Sequence, residues 1–223
     1  MRVVVNAAMS VDGKLSHRGR KQVVISGDAD FDRVDAIRAE NDAVMVGAGT
    51  VVADDPSLTV DDETRRAARK ARGVPENPAR VIADSHARCP RDAQIFDERA
   101  HTYLLVSEAA HPARISKLER EGVTIITAGE ERVNLTSAFD ALADHGIESI
   151  MVEGGGELIF SLFEEGLVDE LTVYIGSMII GGRDAPTLAD GEGFVAGFPR
   201  LELADVQRVD DGVVLSYAPE NTQ

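Results

Sequence analysis

The sequence predicts a single α/β domain with a mostly parallel central sheet, and three observations support that prediction. Short apolar runs alternate with helix-like stretches along most of the 223 residues, which is typical of a parallel sheet covered by helices on both faces. Some runs are apolar throughout, as in "AVMVG" (43–47), the pattern of a strand buried on both sides. Two strand-like runs flank Asp211-Gly212 near the end, so we expect an antiparallel C-terminal edge hairpin within one domain, 1–223.

Each predicted element rests on a local pattern. Apolar runs predict strands at 3–8, 43–47, 79–85, 101–107, 123–128, 149–153 and 171–180. Caps and a period near 3.6 predict helices from Ser26 or Asp28 to Asn41, and at 112–122, 135–145 and 158–166. A short helix is expected between the strand 43–47 and Pro56. The charged stretch 61–78 is predicted to be a solvated excursion and not a core element.

The composition disfavours several classes of protein. Hydrophobic residues make up 43% of the chain, which favours a packed core over disorder. No segment approaches the roughly 20 apolar residues of a membrane span, and the N-terminus lacks the apolar core of a signal peptide. Cys89 is the single cysteine, which suits a reducing compartment. We therefore expect a soluble cytoplasmic protein without a membrane partner.

The net charge of −16 disfavours a nucleic-acid partner, because phosphate backbones attract lysine and arginine. The only lysines are Lys14, Lys21, Lys70 and Lys117. An acidic surplus with scarce lysine favours a halophilic protein that is kept soluble by hydrated carboxylates. The alternative is an ordinary acidic protein from an arginine-biased genome.

Two glycine-bearing turns follow predicted strands, "VGAGTVVADD" and "VEGGGEL". Ligands of open α/β sheets bind outside the carboxyl ends of the strands, and a helix that starts there offers N–H groups to a phosphate. Neither turn has the G-x-G-x-x-G spacing of a dinucleotide fingerprint, because Val52 and Ile159 stand where the third glycine is required. Each turn alone is also compatible with an ordinary tight junction. Together they favour a phosphate-bearing ligand bound in a non-Rossmann way.

Four segments together resemble the stand-alone archaeal-type reductases of riboflavin biosynthesis: "NAAMSVDGKLS", "IRAENDAVMVGAGTVVADDPSLTV", "ARVIADS" and "MVEGGGELIFSLFEEGLVDELTVYIGSMIIGG". The resemblance implies a dihydrofolate-reductase-like fold and a homodimer, with a surface shared through the strand 171–180 and the "GGRDAP" that follows it. It also implies an oxidoreductase in which NADPH reduces the ribosylamino group of a pyrimidinone phosphate to the ribitylamino form, by hydride transfer to C1′ of the ring-opened imine.

The resemblance assigns a cofactor site. It implies that Thr50, Asp54 and Ser85 contact the cofactor, and that Gly154, Gly155, Gly156 and Glu157 surround its phosphates. Glu157 departs from the small hydroxyl residue that is frequent in the family, and it can instead be a first-turn residue favoured by the helix dipole. The sequence leaves NADH open, since no arginine is placed unambiguously for the 2′-phosphate and Arg88 is only the nearest guess.

For the substrate, the matching positions are Ser26, Arg38, Leu58 and Glu153. Arg38 suits the 5′-phosphate because a guanidinium can bind it in a bidentate way, with a surface arginine as the alternative. Leu58 forms an apolar wall or packs in the core. Glu153 ends an otherwise apolar strand, where a carboxylate can stabilise the cationic imine.

The turn "NAAMSVDGK" supplies further candidates. Asn6 and Ser10 can orient a polar heterocycle, and Asp12-Gly13 makes a turn. Lys14 is the candidate for proton delivery during ring opening, with an exposed turn lysine as the alternative. No histidine or cysteine has metal-ligand spacing, so no metal is expected.

Two rival functions remain at this stage. One is an enzyme of the same fold with another substrate, such as dihydrofolate or another pterin or pyrimidine. The absence of tryptophan and the presence of Arg38 on the first helix weigh against dihydrofolate. The other is a non-catalytic module that binds NADPH. Glu153, Lys14 and Arg38 together weigh against it.

Overall fold

A computed structural model describes residues 1–120 and 122–220, and the chain divides into two compact units. Unit 1 contains residues 35–151, and unit 2 contains residues 2–34 together with the chain from Val152 onward. The strands are β1 (Arg2–Ser10), β2 (Ala43–Gly47), β3 (Ala79–Ala83), β4 (Thr102–Val106), β5 (Val123–Thr127), β6 (Ser149–Gly154), β7 (Glu170–Gly176), β8 (Leu201–Val209) and β9 (Gly212–Pro219). The helices are α1 (Asp28–Glu40), α2 (Ala48–Asp54), α3 (Glu63–Ala71), α4 (Pro112–Leu118), α5 (Leu135–Asp144) and α6 (Gly156–Glu164).

Unit 1 contains the parallel strands β5, β4, β3 and β2, paired in that order. Met45 is opposite Val81, and Val81 is opposite Tyr103. All five residues of β4 are buried, which explains why its sequence is a continuous apolar run with no alternation. The core on one side of these strands includes Val46, Val51, Leu58, Ile82, Ile95, Leu104 and Leu118.

Unit 2 combines parallel and antiparallel pairing. β1 pairs in parallel with β7, β7 pairs antiparallel with β9, and β9 pairs antiparallel with β8. Parallel pairing therefore dominates, and the antiparallel strands are C-terminal. The predicted α/β class, with a mostly parallel sheet and an antiparallel end, is confirmed. A single domain over 1–223 stays a prediction.

Several predicted boundaries are wrong for identifiable reasons. The hairpin turn is formed by Asp210 and Asp211, with Asp210 at φ 51°, and Gly212 already belongs to β9. The strand predicted to reach residue 180 ends at Gly176, because Met178 N–H turns back onto the Gly176 carbonyl at 2.8 Å. The helix predicted to end at Gly122 ends at Leu118, since Glu119 has extended backbone angles.

The charged stretch 61–78 is not a purely solvated excursion. It contains α3, which begins where the Asp62 side chain accepts the Arg65 N–H at 2.8 Å. Arg69 on this helix is only 3% exposed. Its guanidinium donates to the carbonyls of Ala39, Asn41 and Pro75. Burial lowers the pKa of Arg69, and these carbonyls compensate for the lost hydration.

Candidate functional site

The glycine turn of unit 2, Gly154 to Gly156, joins the end of β6 to the start of α6. Gly154 has φ 150° and Gly155 has φ 95°, values that residues with a Cβ rarely adopt. Gly156 is needed for a different reason, since a Cβ there would lie 2.6 Å from the Thr187 carbonyl oxygen. The first two glycines therefore shape the backbone, and the third allows a neighbouring segment to approach closely.

The start of α6 is suited to an anionic group. Among the described residues, no side chain caps the helix at Gly155, so the first-turn N–H groups are not claimed by a cap. Glu157 is exposed in this first turn, where its charge interacts favourably with the helix dipole. Glu153 is the last residue before Gly154 in β6 and is half-buried. The N–H groups at the start of α6 fit the phosphates of a nucleotide. The Glu153 carboxylate lies directly before the three glycines in the sequence.

The turn after β1 uses its polar side chains internally. The Ser10 hydroxyl donates to Asp12 Oδ1 at 2.6 Å and accepts the Lys14 N–H at 3.0 Å. Asp12 also accepts the N–H groups of Ile180 and Gly181 at 3.0 and 2.8 Å. The Ser10 hydroxyl and these two N–H groups lower the pKa of Asp12 to about 2. Asp12, expected only to form a turn, thus ties a distant segment of unit 2 to this turn.

That segment, residues 177–190, is called the strap below. The Lys14 ammonium donates to the strap carbonyl of Ala185 at 3.2 Å, and Lys14 forms a β-bridge with Thr187. At its far end the Asp190 N–H donates to the Gly156 carbonyl at 3.1 Å. The strap therefore connects the Lys14 turn to the glycine turn within unit 2.

Asn6 and Ser26 are also in unit 2. Both are buried, Asn6 within β1 and Ser26 two residues before α1. The Asn6 amide oxygen accepts from the Arg33 guanidinium at 2.9 Å, and Arg33 also pairs with Asp30 at 2.7 Å. Arg33 carries no signal of this role in the sequence, because a charged residue inside a predicted helix is ordinarily solvated.

Arg38 and Leu58 are brought together in unit 1. Arg38 lies in the last turn of α1, and its Nη1 donates to the Thr59 carbonyl at 3.0 Å. Leu58, the neighbour of Thr59, has φ 51° and is 2% exposed in the core of unit 1. Leu58 therefore packs in the core of unit 1, which was the second of its two predicted roles. The contact with Thr59 fixes the orientation of the Arg38 guanidinium.

The cofactor residues expected in unit 1 follow neighbouring strands. Thr50 is half-buried within α2, and Asp54 is its exposed last residue. Ser85 lies just after β3, where its hydroxyl accepts the Val133 N–H at 3.1 Å and its carbonyl accepts the Ser107 hydroxyl at 2.7 Å. Since β2 and β3 are parallel, their carboxyl ends lie at the same edge, where α/β proteins bind ligands.

The single thiol of the chain, Cys89, is buried. Burial, followed by the nearby Asp84, raises the pKa of the Cys89 thiol far above its ordinary value, so the reactive thiolate is disfavoured. Over residues 1–120 and 122–220, no group of three or more His, Cys, Asp or Glu side chains is arranged to hold a metal ion. In the same residues, no helix is long and apolar enough to cross a membrane.

The fold is that of the pyrimidine reductase-like α/β proteins. A pyrimidine reductase-like protein from Corynebacterium diphtheriae shares the fold, with a TM-score of 0.87 at 21% identity over 99% of this chain and 92% of that one. The RibD protein of Acinetobacter baumannii gives a TM-score of 0.78 at 26% identity over 100% of this chain and 58% of that one.

Sequence comparison gives the particular family. Residues 1–215 match the RibD C-terminal domain, and the chain belongs to that family. A protein of Archaeoglobus fulgidus named 2,5-diamino-6-ribosylamino-4(3H)-pyrimidinone 5′-phosphate reductase is 42% identical over 96% of both chains. A protein of the same name from Methanothermobacter thermautotrophicus is also 42% identical over 96% of both chains. The resemblance to riboflavin-pathway reductases is confirmed.

Proposed function

We propose that this protein reduces 2,5-diamino-6-ribosylamino-4(3H)-pyrimidinone 5′-phosphate to its ribitylamino form in riboflavin biosynthesis. The observation that carries the proposal is the 42% identity to the Archaeoglobus fulgidus reductase over 96% of each chain. The glycine turn at the start of α6 and the half-buried Glu153 before it support the same reaction.

NADPH is the proposed cofactor, and when bound it supplies the hydride. The N–H groups at the start of α6 are proposed to hold its phosphates together with Gly154, Gly155 and Gly156, while Glu157 remains on the solvent side. Thr50, Asp54 and Ser85 are also proposed to contact the cofactor.

The substrate must open its ribose ring before it can be reduced. The exocyclic nitrogen lone pair forms a C1′=N⁺ bond while the C1′–O4′ bond breaks, and O4′ takes up a proton. We assign that proton to Lys14, whose position is fixed by the Ala185 carbonyl. A hydride then adds to C1′, and the C=N electron pair returns to nitrogen. Glu153 stabilises the positive charge that exists only between these two steps.

The remaining substrate residues position the ligand. Arg38, oriented by the Thr59 carbonyl, is proposed to pair with the 5′-phosphate. Asn6, Ser10 and Ser26 are proposed to border the pyrimidinone. For Leu58, an indirect role through the shape of the core suits its burial.

The test is the loss of NADPH absorbance with the ribosylaminopyrimidinone phosphate, its deaminated analogue and dihydrofolate as separate substrates. Oxidation with the first compound alone is expected. Oxidation with dihydrofolate would overturn the substrate assignment, and tight NADPH binding without turnover of any compound would favour a non-catalytic module.

The substitution Glu153→Gln tests the proposed catalytic role of the Glu153 carboxylate. Loss of the carboxylate charge should lower kcat about 100-fold, because the stabilised cation exists only near the transition state. Glu164→Gln, at the exposed end of α6, is the matched control and should change kcat less than about twofold. An equal small effect of both substitutions would remove Glu153 from the mechanism.

A homodimer in the cytoplasm is the proposed state of the protein. β7 is paired on both edges, by β1 and β9, so a surface shared through the strand expected at 171–180 and the segment after it would not use an open strand edge. The last strand of the sheet is a second candidate surface. β8 pairs only with β9 and exposes Leu203 and Val206 by 51% and 55%. Sedimentation of the wild type and of Val206→Asp tests this surface, since a dimer built on it should dissociate in the variant.

We also propose that the protein functions at high salt. Its net charge of −16 at 223 residues supports this proposal, since screening relieves repulsion between exposed carboxylates. Circular dichroism in concentrated KCl and in dilute buffer is the test. Full secondary structure and solubility in both would contradict halophilic adaptation.

A further inference from the structure

The orientation of the Asn6 side chain is determined by a single contact. Asn6 lies in the middle of β1 and is 6% exposed, so its amide needs hydrogen-bond partners. Its Oδ1 accepts from Arg33 Nη2 at 2.9 Å. An arginine has donors only, so the amide oxygen of Asn6 must face Arg33 and the Nδ2 group must point the other way.

Arg33 is itself held in place by Asp30. Arg33 Nε and Nη2 lie 2.8 and 2.7 Å from Asp30 Oδ1. Asp30 is 2% exposed, and a carboxylate so deeply buried requires a cation beside it. Asp210, in the turn between β8 and β9, fixes the first turn of α1, since its carboxylate accepts the Ala29 and Asp30 N–H groups at 3.3 and 3.1 Å. The guanidinium is thus held against both Asp30 and Asn6.

The Asn6 Nδ2 group has no hydrogen-bond acceptor among residues 1–120 and 122–220. In this part of the chain, the fully buried side-chain atoms without a hydrogen bond are Asn41 Oδ1 and Asp84 Oδ1. Asn6 Nδ2 is not one of them and therefore retains accessible surface. A donor that is fixed in direction and reaches the surface from a buried residue is available to an acceptor on a ligand.

This donor lies on the face of β1 that leads to the proposed substrate site. Asn6 and Ser10 are four positions apart on the strand, so their side chains share one face. Ser10 is the last residue of β1, at the edge where ligands of open α/β sheets bind. Ala8 lies between them on that face and is only half-buried, so a flat ring can approach the strand beside Asn6.

We propose that Arg33 is a positioning residue that fixes Asn6 as a hydrogen-bond donor to the 4-oxo group of the pyrimidinone. The inference rests on the proposed function and deepens it, because it states which group of the substrate Asn6 recognises. A fixed donor favours a ring with an acceptor at that position. It rejects a ring with an amino group there, since two donors would then face each other unpaired.

The isosteric substitution Asn6→Asp tests the donor. One carboxylate oxygen keeps the contact with Arg33, and the other places an acceptor where Nδ2 was. KM for the ribosylaminopyrimidinone phosphate should rise about tenfold or more while kcat changes less than about threefold, because binding is lost equally in the ground and transition states. Thermal unfolding should not occur at a lower temperature than in the wild type, since the ion pair with Arg33 replaces a neutral contact.

The 4-amino analogue of the substrate gives the opposite readout. Calorimetric titration, which needs no turnover, should show that Asn6→Asp binds this analogue more tightly than the wild type does, because the new carboxylate accepts from the amino group. The same variant should bind the 4-oxo compound more weakly. A reversal of preference of this kind does not follow from a general loosening of the strand.

Arg33→Lys tests the positioning role. A lysine keeps the charge beside Asp30 but has one nitrogen, so it cannot hold Asp30 and Asn6 in the same geometry. KM should rise about fivefold, and Asn6→Asp in the same chain should raise it little beyond the effect of Asn6→Asp alone, because both changes act on one contact. Arg2→Lys is the matched control, since Arg2 begins β1 and pairs in the exposed surface with Glu170 at 2.7 Å. It should change KM less than about twofold.

The outcomes separate a failure of this inference from a failure of the proposed function. If the wild type turns over the substrate, and Asn6→Asp lowers only the melting temperature and leaves KM and the preference between the 4-oxo and 4-amino compounds unchanged, Asn6 is a structural residue and the inference alone is wrong. Equal effects of Arg33→Lys and Arg2→Lys on KM would overturn the positioning role. If the wild type neither binds nor reduces the 4-oxo compound, the proposed function fails and the inference fails with it.

Discussion

Two irregular regions of the molecule are held in place by opposite chemistry. In unit 1, the buried Arg80 on β3 donates to the carbonyls of Ser57, Ile95, Asp97 and Ala100 and to the Asp97 carboxylate. In unit 2, the strap is held by carboxylates that accept N–H groups, with Asp12 bonded to Ile180 and Gly181 and with Asp190 bonded to Thr187. One region is organised by a cation, and the other mainly by anions, with Lys14 as an additional donor to the Ala185 carbonyl.

Because the charged groups differ, the two regions should respond differently to acid. An arginine keeps its charge at any ordinary pH, so the contacts of Arg80 with carbonyl oxygens should be insensitive to acid. A carboxylate loses its acceptor strength when it is protonated, so the strap should loosen in acid. Burial also differs, since Arg80 is 0% exposed whereas the strap runs partly in solvent. The stability of the region around Arg80 should therefore depend more strongly on a single side chain than the stability of the strap does.

Arg80→Ala should give the largest loss of stability. Several buried carbonyls would lose their donor at once, and removing one member of such a buried charged network costs about 3–5 kcal/mol. Urea unfolding in concentrated KCl measures the change. Arg99→Ala, which removes an exposed partner of the same Asp97, should cost less than about 1 kcal/mol. Similar losses for both variants would contradict an organising role for Arg80.

Gly156→Ala should have the next largest effect and act on the strap. The new Cβ would lie 2.6 Å from the Thr187 carbonyl oxygen and 2.9 Å from Asp190 Oδ2, and overpacking of this kind costs about 1–3 kcal/mol. Gly49→Ala is the control, because a Cβ at Gly49 in α2 meets nothing within 4 Å. Thermal unfolding of the two variants should move in opposite directions, since alanine favours a helix.

Asp12→Asn should have the smallest effect at neutral pH and the clearest dependence on pH. The folded pKa of Asp12 is lowered to about 2 from an ordinary 3.8, so its stabilisation is present above pH about 4 and is lost as pH falls through about 2. The stability difference between wild type and variant should therefore shrink as the pH is lowered over that window. Asp184→Asn, an exposed aspartate of the same strap, should show no such convergence.

The sequence predicts best what is encoded locally. β2 was predicted at 43–47 and lies at Ala43–Gly47, because a wholly apolar run of five residues is sufficient to define a buried strand. The junction of a strand and a helix at the three glycines was also located correctly, with Gly154 ending β6 and Gly156 beginning α6. The separate role of the third glycine was not predictable, because the role of Gly156 depends on Thr187.

The predictions that failed or fell short depend on distant partners. The many charges of the stretch that forms α3 predict a solvated segment. Arg69 is nevertheless buried, and its guanidinium donates to carbonyls that lie about 30 positions away in the sequence. Lys14 was read as a catalytic or exposed lysine, and its contact with Ala185 spans 171 positions. Local patterns carry no information about such pairs. The assignment of the site residues stays a proposal that the variants above address.

The single thiol of the chain has a practical consequence for following the motions of unit 1. Cys89 is 6% exposed in the core of unit 1, and burial raises the pKa of its thiol, which keeps the thiol unreactive while this core is closed. Alkylation of the native protein should thus occur only when this part of unit 1 opens transiently. The rate of labelling therefore measures local opening of unit 1 and requires no introduced probe.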